Sequence, residues 1–162
     1  GRREAGRPPP PGGTIFRVLE LQPGVAAEMH RTDSVDYVIV LEGDGSFVFS
    51  RPTSAFWAAE KYNTPFLTVI YNNSRHQATV NSWNKHIPDN VAKQTDYYPG
   101  VDIDPSPDYA VLVQACRGYG ETVTDPAEVL PALRRGLERV RAGQAAVLDM
   151  RIQVLDGRRA AN

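Results

Sequence analysis

Two polar segments each follow a strand-like apolar run, and this repeated arrangement constrains the fold more than any other feature. Gly-Asp-Gly at 43–45 follows the run 38–41 (VIVL), and Asn-Asn at 72–73 follows the run 66–71 (FLTVIY). Between them, 52–62 (PTSAFWAAEKY) opens with a proline suited to a first helical turn and repeats apolar residues at helical spacing. Strand, helix and strand predict a right-handed parallel crossover, with both polar segments at the carboxyl edge of one sheet.

The rest of the chain continues this alternation of helices and strands. Helices are predicted over 108–117 and 125–142, a short strand over 121–123 and a last strand over 145–154. The polar, proline-punctuated segment 74–107 is expected to be a long irregular loop. Together these elements predict an α/β fold of three layers, in which helices flank a mostly parallel sheet.

Composition restricts the classes of function. An apolar content of 41% and a charged content of 23% are typical of a globular protein, and a net charge of -1 gives no field that attracts nucleic acid or an anionic membrane. No apolar run approaches the length of about 18 residues that a spanning helix needs. The single cysteine, Cys116, leaves no internal disulfide and indicates a reducing, cytoplasmic setting. We therefore expect a partner that is neither nucleic acid nor membrane.

The Gly-Asp-Gly segment, the 26-residue gap 46–71 and the Asn-Asn pair closely resemble the signature of thiamine-diphosphate-dependent enzymes. The likeness extends over 43–152, which resembles the C-terminal cofactor-binding domain of acetolactate-synthase-like and benzoylformate-decarboxylase-like members. In that family a glycine-rich segment and a helix normally precede Gly-Asp-Gly, and they do not occur here. The resemblance therefore implies a truncated thiamine-diphosphate-binding fold.

The resemblance also implies a magnesium site. The carboxylate of Asp44, the side-chain carbonyl of Asn73 and the backbone carbonyl of Arg75 would supply the protein's ligands. Magnesium prefers oxygen ligands in octahedral order and usually binds a protein carboxylate together with phosphate oxygens. The residue types at these three positions suit that chemistry.

Four residues are expected to lie against the diphosphate. Gly43 and Gly45 would let the backbone approach the phosphates without a Cβ atom in the way. The backbone N–H groups of Gly45 and Ser46 would donate to phosphate oxygens. His76 would face the diphosphate or the mouth of the site, with a position on the surface as the alternative.

The implied function is magnesium-dependent binding of thiamine diphosphate, as part of a 2-oxo-acid decarboxylase or carboligase. In this family the glutamate that activates the cofactor lies on a pyrimidine-side domain of another subunit. The resemblance thus implies that domain and a homo-oligomer as partners, and a small 2-oxo acid as substrate. No glutamate of this sequence occupies a matching context, so we assign no catalytic residue to the chain.

Residues 13–43 resemble a different family, the first half of a cupin β-barrel. His30, Asp36 and Gly43 fall at the spacings of the first cupin motif, with Asp36 in place of its glutamate. One histidine and one aspartate are a poor set of metal ligands. The alternative function is therefore a cupin-like small-molecule or metal-binding protein without catalysis, and a chain that folds in part and binds nothing is a third possibility.

The sequence accordingly divides into four segments. They are a flexible proline-rich arm over 1–13, a cupin-like strand segment over 14–42, a partial thiamine-diphosphate-binding domain over 43–155 and a polar tail over 156–162. The run 35–41 (VDYVIVL) is β-branched and aromatic, which is typical of a strand buried on both faces. We hypothesise that it replaces the strand that normally precedes Gly-Asp-Gly, so that 38–42 lies in the same sheet as 66–71.

Overall fold

The computed structural model describes residues 38–153. The arm 1–13, the tail 156–162 and most of the segment 14–42, with His30 and Asp36, lie outside the described residues. Within 38–153, no helix is both long enough and apolar enough to cross a membrane.

Within residues 38–153, four strands form one parallel sheet in the order β1-β2-β4-β3. Strands β2 and β4 occupy its centre, and their almost continuous burial suits strands that are covered on both faces. Because every strand runs in the same direction, all four carboxyl ends meet at one edge. The strands are β1 at Ile39–Gly43, β2 at Leu67–Asn72, β3 at Tyr119–Val123 and β4 at Ala146–Arg151.

Helices of the described part of the chain alternate with these strands. Helix α2 begins with Pro52, as the sequence predicts, and ends before Asn63, whose φ of 50° cannot continue a helix. A 3₁₀ turn at Pro126–Glu128 leads into the last helix. The helices are α1 at Asp44–Phe49, α2 at Pro52–Tyr62, α3 at Gln77–His86, α4 at Val91–Thr95, α5 at Tyr109–Gln114 and α6 at Val129–Arg141.

Two apolar clusters cover the two faces of the sheet. On one face, α1, α2 and α5 pack on the strands through Phe47, Phe56, Ala59, Ile70, Tyr109, Val113, Ala145 and Val147. On the other face, α6 packs through Leu67, Val69, Val123, Ala132, Val140, Ala146, Leu148 and Met150. The α/β class, the three layers and the parallel sheet that the sequence predicts are therefore confirmed.

Among the strands that the structure describes, β1 is an outer one. It pairs in parallel with β2, which confirms that 38–42 and 66–71 belong to one sheet. Burial on both faces, however, is wrong for the described part of this run, since Leu41 is 61% exposed and Ile39 is 43% exposed. The reason is that α6 contacts β2, β3 and β4 and leaves this side of β1 uncovered by the described residues.

The segment 74–107 is not the irregular loop that the sequence predicts. It contains α3 and α4, which close around a small core of Val80, Ala92, Tyr98 and Val101. Val80 is the one buried residue of α3. A helix whose residues are mostly polar gives only a weak apolar signal in the sequence.

Candidate functional site

The carboxyl ends of β1 and β2 bring Asp44 and Asn73 together. Asp44 directly follows β1 as the first residue of α1, and Asn73 directly follows β2. Oδ2 of Asp44 and Oδ1 of Asn73 each accept a hydrogen bond from the backbone N–H of Arg75, both at 3.1 Å. The three residues that the sequence predicts as magnesium ligands thus meet at one point. We call Asp44 and the turn 73–75 the clamp.

The Asp44 carboxylate is buried without a cation beside it in the described part of the chain. The residue is 1% exposed, and no lysine, arginine or histidine within 38–153 forms an ion pair with it. Burial raises the pKa of this carboxyl, while hydrogen bonds from the backbone N–H groups of Arg75, Asn73 and Gly45 oppose the rise. A metal cation at this position would relieve the cost of burying the charge.

A tight turn at His76 follows the clamp. The N–H of Gln77 donates to the carbonyl oxygen of Arg75 at 2.8 Å, and the φ of -73° and ψ of 65° at His76 are those of an inverse γ-turn. That carbonyl oxygen retains a second lone pair. The buried guanidinium of Arg75 lies 3.3 Å from a carboxylate oxygen of Asp102 and 5.2 Å from the ring centre of Tyr98. The side chain of Arg75 is therefore engaged inside the protein, and its backbone forms the clamp.

A neighbouring segment of backbone holds this turn in place. The N–H of His76 donates to the carbonyl of Val101 at 2.8 Å, and the N–H of Ile103 donates to the carbonyl of Ser74 at 2.8 Å. Arg75 and Asp102 form an antiparallel bridge between these two bonds. The segment 74–107, expected to be a loop, thus supplies the support for the clamp.

The absence of a side chain at Gly45 lets α1 approach His76 closely. A Cβ atom built on Gly45 would lie 2.6 Å from Nδ1 and 3.3 Å from Cα of His76, whereas one built on Gly43 would meet nothing closer than the carbonyl oxygen of Tyr71 at 4.0 Å. The sequence predicts that the missing Cβ atoms of both glycines leave room for the phosphates. At Gly45 the missing Cβ atom lets α1 pack against the half-buried His76, whereas at Gly43 a Cβ atom would fit without crowding.

Ser46 is exposed at the start of α1. It is the third residue of this helix, so its N–H has no carbonyl partner within the helix. The N–H of Gly45, by contrast, lies close enough to the Asp44 carboxylate to lower the pKa of that group. Of the two predicted donors to phosphate, Ser46 is therefore the better placed.

Behind the clamp, Asn72 connects it to β4. Nδ2 of Asn72 donates to Oδ1 of Asp149 at 2.9 Å, and Oδ1 of Asn72 accepts from the N–H of Ser74 at 3.0 Å. Asp149 is fully buried, and its Oδ2 lies 3.0 Å from Nη2 of Arg151. Burial raises the pKa of Asp149, and the Asn72 hydrogen bond and the Arg151 charge act against the rise. Sequence reasoning missed Asp149, although a carboxylate inside an apolar strand run is a signal in itself.

Residues 19–150 match the family described as "Thiamine pyrophosphate enzyme, C-terminal TPP binding domain". The match includes the whole sheet except the last residue of β4. It begins inside the segment 14–42, whose likeness to a cupin stays a prediction.

Individual proteins resemble the chain over different lengths. The acetolactate synthase large subunit of Mycobacterium tuberculosis is 31% identical over 136 residues, which are 83% of this chain and 22% of that protein. Phomopsin biosynthesis cluster protein C' of Diaporthe leptostromiformis is 47% identical over 44 residues, 27% of this chain and 23% of that protein.

The fold has a counterpart among solved structures. The thiamine diphosphate-dependent 4-hydroxybenzoylformate decarboxylase of Rhodococcus jostii RHA1 superposes with a TM-score of 0.52 at 22% identity, over 72% of this chain and 20% of that one. This likeness shows the fold. The chain spans less than a quarter of the length of each of these three proteins.

Proposed function

Because the chain belongs to the family of C-terminal thiamine-pyrophosphate-binding domains of thiamine pyrophosphate enzymes, we propose that its clamp binds the cofactor diphosphate through a magnesium ion. The ligands are the Asp44 carboxylate, the Asn73 side-chain oxygen and the Arg75 carbonyl oxygen. The observation that carries this proposal is the pair of hydrogen bonds by which Asp44 and Asn73 share the N–H of Arg75. It brings a carboxylate and an amide oxygen from two strands to one point, and Mg²⁺ takes such ligands together with phosphate oxygens.

The charge of Asp44 makes magnesium necessary. A diphosphate next to a buried carboxylate would place like charges together in a medium that screens them poorly. A divalent cation between the two groups turns this repulsion into attraction on both sides. Binding of the cofactor is therefore expected to depend on magnesium.

Other groups of the chain are proposed to orient the diphosphate. The N–H of Ser46 donates to a phosphate oxygen. The N–H of Gly45 donates to a phosphate oxygen when it points away from the Asp44 carboxylate. Gly43 leaves room for the phosphates, and the ring of His76 lies at the edge of the clamp as a further donor. When bound, thiamine pyrophosphate supplies the electron sink for breaking or forming the bond next to the carbonyl of a 2-oxo acid.

Membership of the family supports a proposal for the substrate class and the partner. We propose a small 2-oxo acid as substrate, supported by relatives named acetolactate synthase and 4-hydroxybenzoylformate decarboxylase. A pyrimidine-side domain, contributed by another chain of an oligomer, supplies the activating glutamate. The cytoplasmic location stays a prediction from the single cysteine.

Isothermal titration calorimetry tests the proposal. Thiamine pyrophosphate is titrated into the full chain with Mg²⁺ and with a chelator, and binding is expected only with Mg²⁺. Asp44→Asn keeps the size of the side chain and removes the charge. It should weaken binding by more than about 100-fold, since even groups behind metal ligands change affinity by about 10–100-fold. Asp89→Asn, at an exposed carboxylate, is the matched control and should bind like the wild type.

Two results would contradict the proposal. One is that the titration produces no heat at millimolar thiamine pyrophosphate and Mg²⁺, although cooperative unfolding shows that the chain is folded. The other is equal binding by the wild type and Asp44→Asn, which would place the site elsewhere. Binding of a transition metal that depends on His30 would instead support the cupin-like alternative.

A further inference from the structure

We propose that Asp149 is a positioning residue for the clamp. Its carboxylate fixes the orientation of the Asn72 amide, and this amide holds the turn that presents Asn73 and Arg75. The proposal rests on the proposed function for what the clamp binds. The contacts from Asp149 to the turn stand independently of it.

The orientation of the Asn72 amide is the first step. Oγ of Ser106 lies 3.3 Å from Nδ2 and 3.4 Å from Oδ1 of Asn72, and a hydroxyl both donates and accepts, so Ser106 fits either orientation. An ionised carboxylate only accepts, so Asp149, 2.9 Å from Nδ2, fits one orientation. That orientation turns Oδ1 of Asn72 toward Ser74.

The conformation of Ser74 is the second step. Its φ of 57° lies in the left-handed region, which a serine adopts when its surroundings hold it there. The bond from its N–H to Oδ1 of Asn72, at 3.0 Å, closes an Asx turn that stabilises this conformation. The turn then directs the N–H of Arg75 at both Asp44 and Asn73.

The burial of Asp149 is the third step. The residue lies in the central strand β4 and is 0% exposed, and the other residues of this strand from Ala146 to Met150 are apolar and buried. Burying a carboxylate is costly even beside a cation such as Arg151, and an apolar residue would pack this strand without that cost. Packing therefore does not explain a carboxylate at this position, whereas its role as the acceptor that selects one orientation of the Asn72 amide does.

The test compares Asp149→Asn with the exchanged pair Asn72→Asp/Asp149→Asn, both in the full chain. An amide at position 149 offers one oxygen to two groups, Asn72 and Arg151, so Nδ2 of the amide at position 72 loses its dedicated acceptor, and the Ser74 N–H alone is left to favour the original orientation. In the exchanged pair, the carboxylate at position 72 accepts from both the Ser74 N–H and the amide at 149. Ser106→Ala is the matched control, because its hydroxyl fits either orientation.

Two measurements are made on each variant. Hydrogen exchange by NMR follows the amides of Ser74 and Arg75, with Val69 in β2 as the reference, and calorimetry follows magnesium-dependent binding of thiamine pyrophosphate. Asp149→Asn should speed exchange at Ser74 and Arg75 by roughly tenfold without affecting Val69. It should weaken cofactor binding by about 10–100-fold, the range for groups behind metal ligands. The exchanged pair should recover most of both losses, and Ser106→Ala should show neither.

The outcomes separate this proposal from the proposed function. The positioning role is overturned if Asp149→Asn changes neither the hydrogen exchange at Ser74 nor the cofactor binding. It is also overturned if exchange becomes faster evenly over β2 and β4. If the wild type binds no cofactor while exchange at Ser74 still depends on Asp149, the proposed function fails and the positioning of the turn is upheld. If Asp149→Asn does not fold, the exchanged pair decides: slow exchange at Ser74 supports the proposal, and fast exchange overturns it.

Discussion

A Cβ atom on Gly45 would lie 2.6 Å from Nδ1 of His76. Helix α1 and the turn before α3 therefore approach each other to a distance that glycine allows and alanine does not. Asp44 and Asn73 lie on either side of this contact, so the distance between the two halves of the clamp depends on it.

Gly45→Ala is expected to displace His76 and loosen the clamp. The new methyl group must push away either the imidazole ring or α1, because non-bonded atoms do not approach a Cβ atom this closely. Overpacking of this kind costs about 1–3 kcal/mol in the free energy of unfolding. Urea unfolding of the cofactor-free chain measures this loss, and calorimetry should show weaker binding of thiamine pyrophosphate.

Gly43→Ala is the matched control for stability. The φ of -79° at Gly43 is accessible to alanine, and the nearest atom to a new Cβ would be 4.0 Å away. The free energy of unfolding should change by no more than about 0.5 kcal/mol. If both variants lose stability equally, the contact with His76 is not the reason for glycine at position 45.

Asp44→Asn is expected to stabilise the cofactor-free chain at neutral pH. Burial raises the pKa of Asp44 above its ordinary value of 3.8, so the folded chain holds this proton more tightly than the unfolded chain. The wild type therefore loses stability relative to the variant as the pH rises from about 3.8 through the raised pKa of the folded state. Above that range the full cost of the buried charge remains, and the variant does not carry it.

Urea unfolding at pH 4.5 and pH 7 of both proteins measures this difference, with Asp89→Asn as control. Mg²⁺ and thiamine pyrophosphate should reverse the order at pH 7, because ligands that bind the folded wild type raise its stability. A variant that is less stable than the wild type at pH 7 without ligands would show that the backbone hydrogen bonds to Asp44 outweigh its burial.

Local chemistry is what made part of this structure predictable. Helix α2 has the predicted bounds, because Pro52 marks its first turn and its apolar residues repeat at helical spacing. The meeting of Asp44 and Asn73 follows from a short argument: two adjacent parallel strands end at the same edge. The family resemblance added which chemistry belongs at that edge.

Long-range relationships are what the sequence did not reveal. The hydrogen bond between Asn72 and Asp149 joins residues 77 positions apart, and no periodic pattern connects them. Helix α3 buries one residue, Val80, so its signal is weak. The outer position of β1 among the described strands depends on the order of the strands, and an apolar run has the same sequence pattern in an outer strand as in a central one.

Two leucines on neighbouring strands test that last point. Leu67 of β2 is fully buried and packs with α6, whereas Leu41 of β1 is 61% exposed. Leu67→Ala should lower the free energy of unfolding by about 2–5 kcal/mol, the range for a core leucine. Leu41→Ala removes the same atoms from a mostly exposed site and should cost less than about 1 kcal/mol. Urea unfolding under identical conditions compares them, and equal losses would mean that Leu41 is covered in solution and that β1 is not an exposed edge.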